Sequence, residues 1–108
     1  MASAAINGAA IDGWDSFHAA CKAAFGFPPS YSNTMDAWVD CLSYLRDVDS
    51  MSKFRLKPGE VLEIVIDDAA ALRANAPELL DEVTYCVAGI NERYADYGEK
   101  PALALVLR

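Results

Sequence analysis

The chain has 108 residues, of which 54% are hydrophobic and 23% charged, so it can bury a core and is not a disordered tail. This length predicts one domain, residues 1–108. Nine basic against sixteen acidic residues leave a net charge of −7, which argues against nucleic-acid or anionic-membrane binding and favours a basic protein partner. No apolar run approaches the roughly 18 residues of a membrane span.

The N-terminus and the cysteines both indicate a cytoplasmic protein. Residues 1–10 contain no basic segment followed by a long apolar core, so we expect no secretory signal. The three cysteines are isolated in sequence, at positions 21, 41 and 86. An odd number of cysteines does not suit a disulfide framework, and we expect reduced thiols.

The elements are predicted in the order β-α-α-β-α-α-β. A short strand over 2–6 ends at the turn dipeptide Asn7-Gly8, and a first helix capped by Asp12 or Gly13 runs to about residue 25. A second helix begins at Asn33 or Thr34 and reaches about residue 45. Next come a strand over 61–66, a short helix from about 67 to 73, a long helix over 77–97 and a strand over 102–107.

This order predicts an α/β fold. Apolar strands separated by helices favour a small three-stranded parallel sheet with right-handed crossovers, packed with about four helices. The long helix shows one apolar stripe, which ends at Tyr94 and Tyr97. In the first helix, the apolar positions include Trp14.

The second helix carries two stripes. Its apolar stripe has the spacing i, i+3, i+7, i+10 and predicts a core face: Met35, Trp38, Leu42 and Leu45. Its polar stripe has the spacing i, i+4, i+7, i+11: Asp36, Asp40, Ser43 and Asp47. The polar stripe is either a solvated helix face or an acidic ridge that fits a cationic pocket on another protein.

Catalytic patterns are weak. His18 is the only histidine, and we expect it on the surface or half-buried. No triad, zinc-ligand spacing or glycine-rich phosphate loop is present in the sequence, so we expect no enzyme activity, metal or cofactor. Carboxylates are plentiful, which leaves a carboxylate-dependent hydrolase as a minor alternative.

Three segments of the sequence form a recognisable set: Ile6-Asn7-Gly8, the Pro-Pro-Ser-Tyr loop at 28–31, and Met-Asp-Ala-Trp-Val-Asp-Cys-Leu at 35–42. Together they resemble the barstar family, the intracellular inhibitors of small secreted microbial ribonucleases such as barnase. The match is clear over about residues 5–45 and weaker beyond. The connection over 46–60 is longer than in the family prototype.

The resemblance implies that the second helix and the loop before it plug a ribonuclease active site in a one-to-one complex. It places Asp40 where a substrate phosphate would bind, Asp36 one turn earlier, and Glu92 at the rim. Tyr31 corresponds to the second of two adjacent loop tyrosines. The remaining predicted contacts flank these positions: Ser30, Ser32, Asn33, Thr34, Val39 and Tyr44.

The sequence departs from the family pattern at its aromatic positions. Ser30 replaces the first loop tyrosine, Val39 replaces the tryptophan before the key aspartate, and Leu45 replaces a later tryptophan. Aromatic residues commonly anchor interfaces. A binding module or antitoxin directed at a basic protein other than a ribonuclease is therefore the alternative interpretation.

Overall fold

Three parallel strands form the centre of the fold. A computed structural model describes residues 2–108, with β1 at Ala2–Asn7, β2 at Leu62–Asp67 and β3 at Leu103–Leu107. The sheet order is β1-β2-β3, with Ala2 opposite Leu62 and Leu62 opposite Leu103. The central strand β2 is the most buried of the three, because both its edges are paired and four of its six residues are buried.

Four helices connect the strands: α1 at Trp14–Phe25, α2 at Met35–Ser43, α3 at Ala69–Asn75 and α4 at Pro77–Asp96. This architecture confirms the predicted α/β fold with a three-stranded parallel sheet. A short 3-10 helix at Gly8–Ala10 follows β1.

The Asn7-Gly8 turn holds β1 against the end of β2. The Asn7 side chain accepts a hydrogen bond from the Ala9 amide at 3.1 Å. A Cβ on Gly8 would lie 2.7 Å from the Asp67 carbonyl oxygen, so only glycine fits this close approach of two backbones.

The second helix ends earlier than predicted. Tyr44 leaves helical geometry, with φ −118° and ψ 28°, and α2 stops at Ser43. The Leu45 carbonyl then accepts a hydrogen bond of 2.7 Å from the Leu56 amide. This bond between distant segments takes Leu45 out of the helix while its side chain stays fully buried.

Aromatic rings of α1 and α2 meet in the core. The Trp38 ring lies 6.1 Å from Phe17 and 6.4 Å from Phe25, measured between ring centroids, and Trp38 is fully buried. Leu42 is also fully buried, whereas Met35 only packs against the edge of the core. The predicted apolar face of α2 is therefore confirmed.

Two residues of the predicted apolar stripes lie outside the core. Tyr97 is 84% exposed because α4 ends one residue before it and the chain turns at Gly98, whose φ is +75°. Trp14 is 42% exposed because it begins α1, where its ring packs over Phe17 and His18 instead of entering the core.

The connection between α2 and β2 is irregular and is fixed largely by Arg46. The Arg46 side chain is only 6% exposed and forms an ion pair with Glu99 at 3.4 Å. Its guanidinium also donates to the carbonyl oxygens of Glu60, Lys100 and Pro101. One arginine thus joins the long connection to the segment that leads into β3.

Replacing Trp38 tests the core assignment of α2. Trp38→Ala should lower the free energy of unfolding by about 3–5 kcal/mol, because it leaves a cavity between α1 and α2. Because the Trp38 ring is fully buried against Phe17 and Phe25, the loss is mainly one of packing. Urea unfolding of Trp38→Ala beside Trp14→Ala, the matched exposed tryptophan, measures it. Equal losses in the two variants would contradict the assignment.

The cysteines give a second test. Cys21, Cys41 and Cys86 are all free and buried. All three should react with a thiol reagent once the protein is denatured without reductant, and should react slowly in the folded protein. A single reactive thiol in freshly purified, denatured protein would show that two of them had paired.

Candidate functional site: the outer face of α2

The start of α2 is fixed by a local cap. The Thr34 hydroxyl accepts a hydrogen bond from the Ala37 amide at 3.1 Å, and the Ser32 and Thr34 hydroxyls are 3.2 Å apart. Asn33 takes a left-handed conformation, with φ 57°, which asparagine tolerates better than most residues. The sequence left Asn33 and Thr34 as alternative caps, and the structure selects Thr34.

The outer face of α2 exposes two carboxylates one turn apart. Asp36 and Asp40 are both exposed, while Trp38, Cys41 and Leu42 are buried on the inner face. The ion pairs found within residues 2–108 are Arg46–Glu99 and Arg108–Asp67, so no intramolecular cation neutralises either aspartate. Their negative charge is available to a partner.

The rest of the polar stripe differs in character. Asp47 is exposed beyond the end of α2. Ser43 is half-buried, and its hydroxyl donates to the Val39 carbonyl oxygen at 2.6 Å. Val39 itself packs at the edge of the core. The exposed carboxylates of α2 itself are therefore Asp36 and Asp40, and Asp47 follows after the helix.

The long helix α4 lies beside α2 and runs in the same direction. The Tyr94 hydroxyl donates to the Ser43 carbonyl oxygen at 2.8 Å, and Arg93 Nη1 donates to the Ser43 hydroxyl at 3.5 Å. The Cys86 thiol of α4 lies near Asp36, at the start of α2. Burial raises the pKa of this thiol to about 11, and the negative charges of Glu82 and Asp36 add to the effect.

Glu82 is thus a further acidic residue near α2, and sequence reasoning missed it. It shares one face of α4 with Cys86 and Arg93, at the spacing i, i+4, i+11, and this spacing was the signal that could have found it. Glu92 is exposed on α4, but the contact that reaches α2 comes from its neighbour Arg93. The rim role of Glu92 stays a prediction.

The loop before α2 offers a partner polar side chains. Ser30, Ser32, Asn33 and Thr34 are exposed, whereas Tyr31 is only 7% exposed. The Tyr31 ring packs against Phe27, and its hydroxyl lies 2.6 Å from Nδ1 of His18. A direct contact between Tyr31 and a partner stays a prediction, and in the free protein this ring faces inward.

His18 is buried, so the prediction of a surface or half-buried position is wrong. It is 3% exposed, between the Trp14 and Phe17 rings and the Tyr31 hydroxyl. Burial lowers the pKa of His18, and the nearby charge of Asp15 only partly opposes this effect. Burial also raises the pKa of Tyr31. At neutral pH we therefore expect an uncharged pair beneath the loop.

The thiols are suited to packing and not to nucleophilic chemistry. Burial raises the pKa of Cys41, and the adjacent Asp40 charge raises it further. Burial raises the pKa of Cys21 to about 12. A thiolate is the reactive form of cysteine, and these shifts disfavour it. Residues 2–108 contain no group of three or more histidine, cysteine, aspartate or glutamate side chains placed to hold a metal ion.

The amino-acid sequence matches a known family model over nearly its whole length. The model of the Barstar family, described as barnase inhibitor, matches residues 1–106. The chain belongs to the Barstar family. The members of this family are inhibitors rather than enzymes. Comparison with curated proteins gave no significant match. Among the described residues, no helix is both long and apolar enough to cross a membrane.

The buried histidine predicts a pH dependence of stability. The pKa of folded His18 lies below the ordinary value of about 6.5, so the unfolded chain binds more protons than the folded chain as the pH falls through that value. The contribution of neutral His18 to the free energy of unfolding is therefore fully present above about pH 6.5. It is lost progressively as the pH falls from there towards the lower pKa of the folded protein.

Urea unfolding at pH 7.5 and pH 5.5 measures this effect. The wild-type chain should lose more stability between these pH values than His18→Gln, which has no imidazole to protonate. Equal losses in the two proteins would show that His18 is not responsible. Tyr31→Phe is the companion variant, because it removes the hydroxyl facing Nδ1 and keeps the histidine.

Proposed function

We propose that this chain is a protein inhibitor of a small, basic, secreted microbial ribonuclease of the guanyl-specific, barnase-like class. It binds one to one in the cytoplasm of the producing cell, with no cofactor and no chemistry of its own. The observation that carries the proposal is the exposed pair Asp36 and Asp40, which no cation within the described residues neutralises. Membership of the Barstar family supports it.

The mechanism is occupation of a cationic active site. A ribonuclease must place positively charged or hydrogen-bonding groups around the phosphate to stabilise the transition state. A carboxylate on α2 satisfies those groups without offering a bond to cleave. Because α2 is held by buried Trp38 and Leu42, little conformational freedom is lost when its carboxylates enter the site.

The contact residues divide by position. Asp40, in the middle of α2, enters the phosphate site of the ribonuclease. Asp36, one helical turn before Asp40, also contacts the ribonuclease, and Glu92 contacts it at the rim of the interface. The loop residues Ser30, Ser32, Asn33 and Thr34 give hydrogen bonds, and Val39 and Tyr44 flank the central aspartate. Tyr31 supports the loop from beneath through its contact with His18.

A second candidate is a binding module or antitoxin for a basic protein that is not a ribonuclease. The specific observation that favours it is the loop before α2, whose exposed side chains are polar while its tyrosine ring is buried. Aromatic anchors are a common source of affinity at interfaces. Inhibition of RNA cleavage by a panel of basic secreted ribonucleases separates the two candidates.

Removing the charge of Asp40 tests the mechanism. Asp40→Asn keeps the shape of the side chain, yet it should weaken inhibition nearly as much as Asp40→Ala. The loss should be about 3–5 kcal/mol, because the cations of the partner are left buried and unpaired. Titration of RNA cleavage by barnase, or by whichever ribonuclease the wild-type chain inhibits, measures both variants.

The matched control is Asp81→Asn, a charge change at an exposed aspartate of α4 that takes part in neither ion pair. It should inhibit like the wild-type chain, and both asparagine variants should keep the wild-type melting temperature. Wild-type inhibition by Asp40→Asn would contradict charge mimicry while leaving the family assignment in place.

A further inference from the structure

The segment just after α2 exposes three apolar side chains within eight residues. Tyr44 is 46% exposed, Val48 77% and Met51 36%. The other large hydrophobic residues exposed within residues 2–108 are spread over the chain: Trp14, Tyr85, Tyr97 and Leu107. A local group of exposed apolar side chains rimmed by polar residues is typical of an interaction surface.

These three side chains line one hollow, which we call the 44–51 hollow. It has a volume of about 710 Å³, and its remaining lining residues are Arg46, Asp47 and Asp49. The space is open to solvent and has room for a loop of a partner protein. Its lining combines apolar side chains with two aspartates and one arginine.

Hydrogen bonds from backbone amides and from two arginine side chains fix the shape of the 44–51 hollow. The Asp47 amide donates to the Tyr44 carbonyl at 3.1 Å, and the Ser50 amide to the Asp47 carbonyl at 3.3 Å. Arg55 Nη2 donates to the Val48 carbonyl at 2.8 Å. Arg46, which also lines the hollow, is held by hydrogen bonds to the Glu60 and Lys100 carbonyl oxygens and by its ion pair with Glu99. A pre-shaped surface loses less entropy on binding than a flexible one.

The hollow continues the acidic face of α2. Tyr44 directly follows Ser43, the last residue of α2, and lies four residues after Asp40 in the sequence. Asp47 and Asp49 are exposed next to Val48. A partner seated on Asp36 and Asp40 would therefore reach the hollow with the adjoining part of its surface.

We propose that the 44–51 hollow is the apolar anchor site for the same basic ribonuclease, and that it receives a loop with an aliphatic or aromatic side chain flanked by lysine or arginine. This inference rests on the proposed function and assigns to Val48 and Met51 a role in selecting the partner. The acidic residues at its edge favour a basic occupant. They disfavour a second copy of this chain, whose net charge is −7, and an anionic membrane.

The test uses the full chain and barnase together with a panel of basic guanyl-specific ribonucleases. The variants are Tyr44→Ser/Val48→Ser/Met51→Ser, the single Val48→Ser, and Asp40→Asn. Tyr85→Ser is the matched control, since this tyrosine is 75% exposed on α4 outside the hollow. RNA cleavage is titrated with each inhibitor, and thermal melting confirms that each variant is folded.

The triple variant should need about tenfold more protein, or more, for half inhibition, because apolar contacts are lost on binding. Val48→Ser should show a smaller loss in the same direction, and because its side chain is the most exposed of the three it tests the site even if the triple variant does not fold. Tyr85→Ser should match the wild-type chain.

Three results would overturn the inference. If Asp40→Asn weakens inhibition but neither hollow variant does, the inference fails and the proposed function stands. If Tyr85→Ser weakens inhibition as much as the hollow variants, the effect is not specific to the hollow and the inference fails. If the wild-type chain inhibits no ribonuclease of the panel, the proposed function fails and the inference fails with it.

Discussion

The burial of Trp38 between α1 and α2 is the constraint on which the site depends. The ring is fully buried and lies against Phe17 and Phe25, so α2 cannot rotate about its axis without opening the core. Because an α-helix has 3.6 residues per turn, fixing one face also fixes the opposite one. Packing on the inside thereby holds Asp36 and Asp40 on the outside.

Both faces of α2 could be predicted because the information is local. The apolar and acidic spacings lie within a few turns of one another, and each alone indicates the same helix orientation. The end of α2 could not be predicted in this way. The helix stops at Ser43, and the Leu45 carbonyl beyond it is bonded to the Leu56 amide, a partner eleven residues away in a segment without periodicity.

The parts of the site that sequence missed all depend on contacts between elements. His18 is buried because Tyr31, on a separate loop, places a hydroxyl against its ring nitrogen, and neither residue carries a local signal for this contact. Glu82 comes near α2 only because α4 packs alongside it. Tyr31 entered the predicted site through the family resemblance alone, and the resemblance gave its position without its inward orientation.

Under the proposed function, the carboxylates and the 44–51 hollow perform different tasks. Every ribonuclease needs cationic groups around its phosphate site, so Asp40 would recognise a property common to the whole class. Discrimination between members of a class needs contacts that differ between them, such as shaped apolar surfaces that exclude a wrong side chain. The loop before α2 exposes polar groups and buries its tyrosine, whereas residues 44–51 expose Tyr44, Val48 and Met51. Selectivity in this protein would therefore lie after the acidic helix, on the connection that Arg46 joins to the segment leading into β3.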